Sequence, residues 1–175
     1  PTLDQSYWRG RTVFVTGHMG FKGTWLSYLL ARLGAKTVGY GHDKRSPLLY
    51  RMLSIDRHYS HDADINELGN LSRAIKDSGA SILVHLAAQP IVLTSYLDPL
   101  GTFQNNVMGT ASVLQAARSA ATLEAVVVIT SDKVYRNQEW AWAYREDEPL
   151  GGHDPYSASK AAAEIITHSM AISYF

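Results

Sequence analysis

The chain has 175 residues, 46% hydrophobic and 18% charged, the make-up of one globular domain with an ordinary core. Its 16 basic residues balance 16 acidic ones, so no strong field draws in nucleic acid or an anionic membrane, and an anionic ligand must be held by local geometry. Cysteine is absent, which excludes disulfides and thiolate metal sites; no apolar run approaches the ~20 residues of a membrane span, and the polar start PTLDQSYWRGR lacks the apolar core of a signal peptide, so a cytoplasmic location is expected.

Residues 11–17, RTVFVTG, are a β-branched and aromatic run ending in glycine, and FKGTWLSYLLARLGA (21–35) sets Trp25, Leu26, Leu29, Leu30 and Leu33 at helical spacing. A strand, a tight turn and a helix are predicted. KTVGYG (36–41) is a second short strand, followed by a polar stretch containing HDKRSP. A third strand is expected within RHYSHDADI (57–65), a helix in NELGNLSRAIKDSG (66–79) and a buried strand in ASILVHLAA (80–88). PLGTFQNNVMGTASVLQAARSA (99–120) reads as one long helix, EAVVVITS (124–131) as a fully buried strand and DPYSASKAAAEIITHSMAISYF (154–175) as a final helix. The irregular stretch between them, 132–153, is either a loop over a site or, from the alternation of Trp140, Trp142 and Tyr144, a short strand packed on the core. Apolar strands alternating with amphipathic helices must be buried on both faces, which predicts an α/β domain over 1–175 built on a doubly wound parallel sheet with right-handed crossovers.

TGHMGFKG places Gly17, Gly20 and Gly23 at the first strand-to-helix junction. One glycine turns the chain, another lets the backbone approach a pyrophosphate and the third lets helix and strand pack closely, so a Rossmann-like dinucleotide site is expected, with Lys22 either beside the phosphates or a solvated helix residue. The acidic residue that usually ends the second strand of such a site is replaced by Tyr40, Gly41 and His42, with Asp43 late and Lys44 and Arg45 close by, which leaves NAD and NADP both open. Asp64 and Ile65 are placed to meet an adenine edge, with a capping role for Asp64 as the alternative. His85 reads as a satisfied core histidine.

In YSASK, Tyr156 and Lys160 lie four apart and share a helix face. A phenol with the usual pKa of about 10 is a poor base near neutrality, and an adjacent ammonium favours its phenolate, so the pair suits removal of a proton from a sugar hydroxyl. The plain alternative is a capped surface helix with a tyrosine at its edge. A strand ending at Ser131 would deliver Ser131, Asp132 and Lys133 to the carboxyl edge of the sheet, where ligands bind in such folds; the same SDK could be an ordinary strand-ending turn.

TGHMGFKG, HLAAQ (85–89), NVMGT (106–110), ITSDKVY (129–135) and YSASK follow the order found in the extended short-chain dehydrogenase/reductases that act on nucleotide sugars, and the chain resembles that family over essentially its whole length. GHMGFKGTWL, AAQPIV, NQEWAWAYRE and LGGHDPYSASK, with Lys133 after Asp132, resemble its CDP-glucose 4,6-dehydratase branch in particular. The resemblance implies NAD as catalytic cofactor, held by Gly17, His18, Gly20, Phe21, Lys22, Gly23, His42, Asp43, Asp64, Ile65, Leu86, Ala87, Ala88, Gln89, Asn106, Thr130, Tyr156 and Lys160, and no metal. Tyr156, helped by Lys160 and Ser131, would take the 4-hydroxyl proton as carbon 4 of the glucose is oxidised. Asp132 would protonate the departing 6-hydroxyl, and Lys133 would take the proton from carbon 5. Return of the hydride to carbon 6 then gives a 4-keto-6-deoxy sugar and water. Family members are roughly twice as long, so 1–175 is expected to be the cofactor-binding part of a longer enzyme whose smaller substrate domain lies beyond it, and a homodimer is expected by the same resemblance. Three other readings compete: a nucleotide-sugar epimerase, a dehydratase for another nucleotide sugar, and a non-catalytic NAD(P)-sensing module.

Overall fold

The computed structural model describes residues 4–42, 48–53 and 60–175. In chain order its elements are α1 (Gln5–Trp8), β1 (Thr12–Thr16), α2 (Phe21–Arg32), β2 (Lys36–Tyr40), α3 (Leu48–Met52), β3 (Ser60–His61), α4 (Leu68–Ser78), β4 (Ile82–His85), α5 (Val92–Leu97) and α6 (Pro99–Phe103). A π-helical turn, Gln104–Met108, joins α6 to α7 (Gly109–Ala117); β5 (Ala125–Val128), a 3-10 turn at Asp132–Val134 and α8 (Pro155–Tyr174) complete the chain. The strands of the described sheet all pair in parallel, in the order β3-β2-β1-β4-β5, with Val13 opposite both Thr37 and Ile82.

The pleat of β1 sorts its side chains onto two faces. Phe14 packs with Val38, Leu71, Ile75, Leu83 and Val113 under α4 and α7, while Val13 and Val15 pack with Leu30 and Ile82 under α2. Both faces of the central strands are therefore buried, the arrangement expected of a doubly wound sheet, and each fully buried side chain of this kind contributes roughly 1.5–3 kcal/mol.

Two expectations change and one open alternative is decided. The strand at 124–131 is shorter and not fully buried: β5 is the outer strand of the described sheet, and Val127 is 43% exposed because the pleat turns Ala125 and Val127 to an open face. The long helix at 99–120 is interrupted by the π turn, and its start is fixed by Asp98, whose carboxylate accepts from the Gly101 amide at 2.9 Å. Residues 132–153 form a loop in which Trp140 stacks on Trp142 at 5.0 Å and Tyr135 on Tyr144 at 5.1 Å, so these aromatics satisfy one another and no strand forms; the only pairing there is an isolated bridge between Tyr135 and Leu150. Among the described residues no helix is long and apolar enough to cross a membrane.

Candidate active site

The β1–α2 turn is shaped by steric exclusion. Gly17 has φ +70, and a Cβ there would lie 2.6 Å from the Ala87 nitrogen; a Cβ on Gly23 would lie 2.1 Å from the Gly17 carbonyl oxygen. Gly20 is the N-cap of α2 and no side chain bonds its first turn, so the helix start offers amides and a positive dipole end to an anion.

Above this turn lies a cleft of about 550 Å³. The turn contributes Gly17, His18, Gly20, Phe21, Lys22 and Gly23 to its lining; the ends of β2 and β3 contribute His42, Asp64 and Ile65; the end of β4 contributes Leu86, Ala87 and Ala88. Thr130 after β5 and Tyr156 and Lys160 on α8 complete the candidates that line it. Asp43, Lys44 and Arg45 lie outside the described residues. Asp64 lines the cleft and also turns the chain, accepting from the Asn66 amide at 2.9 Å, whereas the N-cap of α4 is Glu67. Tyr40 does not line the cleft; it is buried against Phe14 and His61, with its hydroxyl donating to the Asp64 carbonyl.

Helix α8 starts at Asp154, whose carboxylate accepts from the Ser157 amide at 2.9 Å, with Pro155 in the first turn. That cap sets the rotation that puts Tyr156 and Lys160, 9% and 7% exposed, onto the cleft. The Lys160 ammonium donates to the Ile129 carbonyl at 3.3 Å, and burial, reinforced by the charge of Lys22 and opposed by Glu164, pulls its pKa down to about 8. Glu164, one helical turn after Lys160, receives the Thr130 hydroxyl and ties the β5 end to α8.

His18 is 1% exposed; its Nε2 meets the Ser60 hydroxyl at 2.7 Å, and burial lowers its pKa to about 4. Its ring fills the space over Gly39, where a Cβ would come within 2.2 Å of it. His85 is the core histidine expected, bonded on both ring nitrogens by Thr16 and Thr110.

Five candidates do not line the cleft. Asn106 and Gln89 bind each other instead: the Asn106 side chain accepts from the Gln89 amide at 2.8 Å and donates to its carbonyl at 3.0 Å, while the Gln89 side-chain amide donates to Thr102. Both brace the β4–α5 loop behind the lining. Ser131 caps the 3-10 turn, accepting from the Lys133 amide at 3.1 Å, and Asp132 and Lys133 project from that turn into solvent. Conversely, Met19, Gly41, Ala63, Pro90, Asn105 and Ile129 line the cleft without having been singled out from the sequence. Glu164 was also missed, although its place four residues after Lys160 was the available signal.

The chain that carries this cleft is similar to known proteins in sequence and in fold. Residues 14–174 match the family model for GDP-mannose 4,6 dehydratase. The chain is 45% identical over 175 residues to CDP-glucose 4,6-dehydratase of Salmonella typhimurium, covering 99% of this chain and 49% of that protein. Among solved structures it superposes on UDP-glucose 4-epimerase from Brucella ovis in complex with NAD (TM-score 0.81, 27% identity, 94% of this chain and 49% of that one). It also superposes on dTDP-glucose 4,6-dehydratase from Streptomyces venezuelae with NAD bound (TM-score 0.80, 26% identity, 93% and 52%). The chain thus spans about half the length of the relatives it matches. On the match over residues 14–174 and the identity to the Salmonella protein, the chain belongs to the GDP-mannose 4,6 dehydratase family, in the nucleotide-sugar branch of the extended short-chain dehydrogenase/reductases.

Proposed function

We propose that this chain is the cofactor-binding domain of a CDP-glucose 4,6-dehydratase, converting CDP-glucose to its 4-keto-6-deoxy product and water with NAD as catalytic cofactor. One observation carries the reading: Tyr156 and Lys160 line the same cleft as the turn from Gly17 to Gly23. The Salmonella relative supports CDP-glucose over other nucleotide sugars. The cleft fits NAD because the glycine turn admits no Cβ at Gly17 or Gly23, α2 begins uncapped beside Lys22, and Lys160 supplies a second cation. Bound there, NAD supplies a hydride acceptor that is restored at the end of each turnover.

The chain's own residues handle the protons. Tyr156 takes the proton of the sugar 4-hydroxyl, and the Lys160 charge stabilises the negative charge that develops on the tyrosine oxygen. The 4-ketone acidifies carbon 5; Lys133 accepts that proton and Asp132 gives one to the leaving 6-hydroxyl, both reaching the sugar from the exposed 3-10 turn that follows Thr130. An epimerase would need the first pair and not the second. Incubating the intact enzyme with CDP-glucose and with its GDP, UDP and dTDP counterparts tests substrate and reaction together. A product absorbing in alkali from CDP-glucose alone is expected, and a 4-epimer in its place would replace this reading.

Lys160 also gives a pH dependence. Its pKa is about 8 in the free domain, and a bound anion raises it, so binding takes up a proton between the free and bound values. NAD affinity is therefore expected to be steady at lower pH and to weaken as pH rises through about 8. Glu164→Gln should move that break to lower pH, because the carboxylate favours the ammonium. Fluorescence titration of NAD at a series of pH values reads both, and a flat profile would remove Lys160 from the binding site.

The proposal includes a homodimer. Leu93, Leu97 and Leu100 on the adjoining α5 and α6, and Ile165 and Ile172 on α8, are exposed apolar side chains on three helices that pack together. Sedimentation of the intact enzyme at micromolar concentration is expected to give twice the subunit mass; a monomer would exclude it.

A further inference from the structure

Thr16, His85, Thr110, Asn106 and Ser159 are each 3% exposed or less, and none of them lines the cleft. Their hydrogen bonds admit one arrangement of protons. The Thr16 hydroxyl oxygen accepts from the Ala87 amide at 3.2 Å and shares the Leu86 amide with Thr16's own carbonyl, at 3.2 and 3.1 Å. Its two lone pairs are then occupied, so its own hydrogen goes to His85 Nδ1 at 2.7 Å. Nδ1 is thereby an acceptor, and Nε2 carries the ring hydrogen and donates to Thr110 at 3.1 Å. Thr110 donates onward to the Asn106 carbonyl at 2.7 Å. From the Asn106 side chain one bond runs to Ser159 at 2.8 Å, and Ser159 donates to the Tyr156 carbonyl at 2.7 Å.

The opposite tautomer would turn Nδ1 into a third donor toward Thr16, beside the Ala87 amide and the shared Leu86 amide, and leave the Thr16 hydrogen with no acceptor in a buried site. A protonated ring has the same defect, with the Lys160 charge nearby as a further penalty. The chain of bonds joins two parts that no single element connects. At one end Leu86 and Ala87 line the cleft, and Ala87 lies against Gly17 so closely that a Cβ on the glycine would meet it. At the other end is the turn of α8 that bears Tyr156. Asn106 itself sits in the π turn, a local widening often kept for function.

We infer that His85 is a positioning residue: a neutral imidazole of fixed tautomer, donor at Nε2 and acceptor at Nδ1, that sets the distance between the cofactor cradle and the tyrosine that takes the proton. Its catalytic consequence rests on the dehydratase reading; its tautomer does not. In a long-range proton–nitrogen correlation spectrum of the histidine-labelled protein, the ring whose signals vanish in His85→Gln should show hydrogen on Nε2 and a bare Nδ1. It should keep that pattern at pH values where ordinary histidines, with pKa about 6.5, become charged.

Kinetics of the intact enzyme supply the second arm. Thr110→Val breaks the chain on the helix side and leaves Thr16 holding the cleft lining, so kcat should fall roughly tenfold with NAD affinity kept within about twofold, and Thr110→Ser should restore most of the rate. Hydrogen on Nδ1, titration of the ring near its ordinary pKa, an unchanged kcat in Thr110→Val, or equal losses of kcat and NAD affinity would each overturn the inference. An enzyme that turns over no nucleotide sugar would sink the dehydratase reading instead, and the spectrum would still decide the tautomer.

Discussion

Tyr156→Phe in the intact enzyme is expected to lower kcat with CDP-glucose by about a thousandfold, the middle of the range for a positioned proton acceptor, while NAD affinity changes by less than about threefold. The substitution keeps the ring that fills the first turn of α8 and removes only the oxygen. Asp154 and Ser157, which cap that turn, are untouched, so the helix should start where it does now. Lys160→Met is expected to differ in kind. It removes a charge that, in the proposed reaction, serves both the dinucleotide and the developing phenolate, so kcat and NAD affinity should fall together. Stopped-flow absorbance of the reduced nicotinamide separates the two variants, since the first should bind cofactor and fail to reduce it. Intact turnover in Tyr156→Phe would remove Tyr156 as the proton acceptor, whereas a parent protein that binds NAD and turns over no nucleotide sugar would leave the dinucleotide-sensing module.

The features legible in the sequence are those whose cause is local. The β1–turn–α2 unit, β2, β4 and α8 follow from apolar period, glycine placement and caps, and each lies within a few residues of its expected bounds. Of the two roles weighed for Asp64, the helix cap fails, because α4 is capped at Glu67 and Asp64 holds the Asn66 amide in the turn before it, while its place in the cleft lining leaves an adenine contact as a proposal. What was illegible depends on partners distant in sequence. An apolar run announces a strand but not its rank in the sheet, so β5 was expected to be buried and is an outer strand. Helices α1 and α5 are too short for periodicity to signal, and one extra residue per turn at Gln104–Met108 leaves the apolar pattern almost unchanged. Amide side chains were the hardest to assign. Asn106 and Gln89 carry groups equally able to meet a cofactor or a backbone, and only the fold shows that the Asn106 side chain meets the Gln89 backbone while that of Gln89 meets Thr102 and the Ile91 amide.

The glycine turn supplies the other large effect, and its three members should not respond alike to alanine. Gly17→Ala forces a left-handed backbone on a residue with a Cβ and drives that carbon against three backbone atoms at the β4 end, none of which can rotate away. Gly23→Ala needs no unusual φ but would set its Cβ 2.1 Å from the Gly17 carbonyl oxygen, so the helix and turn must separate. Each is expected to cost about 3 kcal/mol of stability and to weaken NAD binding by at least roughly a hundredfold, since the amides at the start of α2 lose their aim. Gly20→Ala meets a single atom, the Gly17 carbonyl oxygen at 3.2 Å, and should cost under about 1 kcal/mol. Urea unfolding and NAD titration of the three variants give the two rankings. If Gly20→Ala loses the most affinity while remaining the most stable, then the approach of the phosphates to Gly20, and not the packing of turn against helix and β4, limits binding.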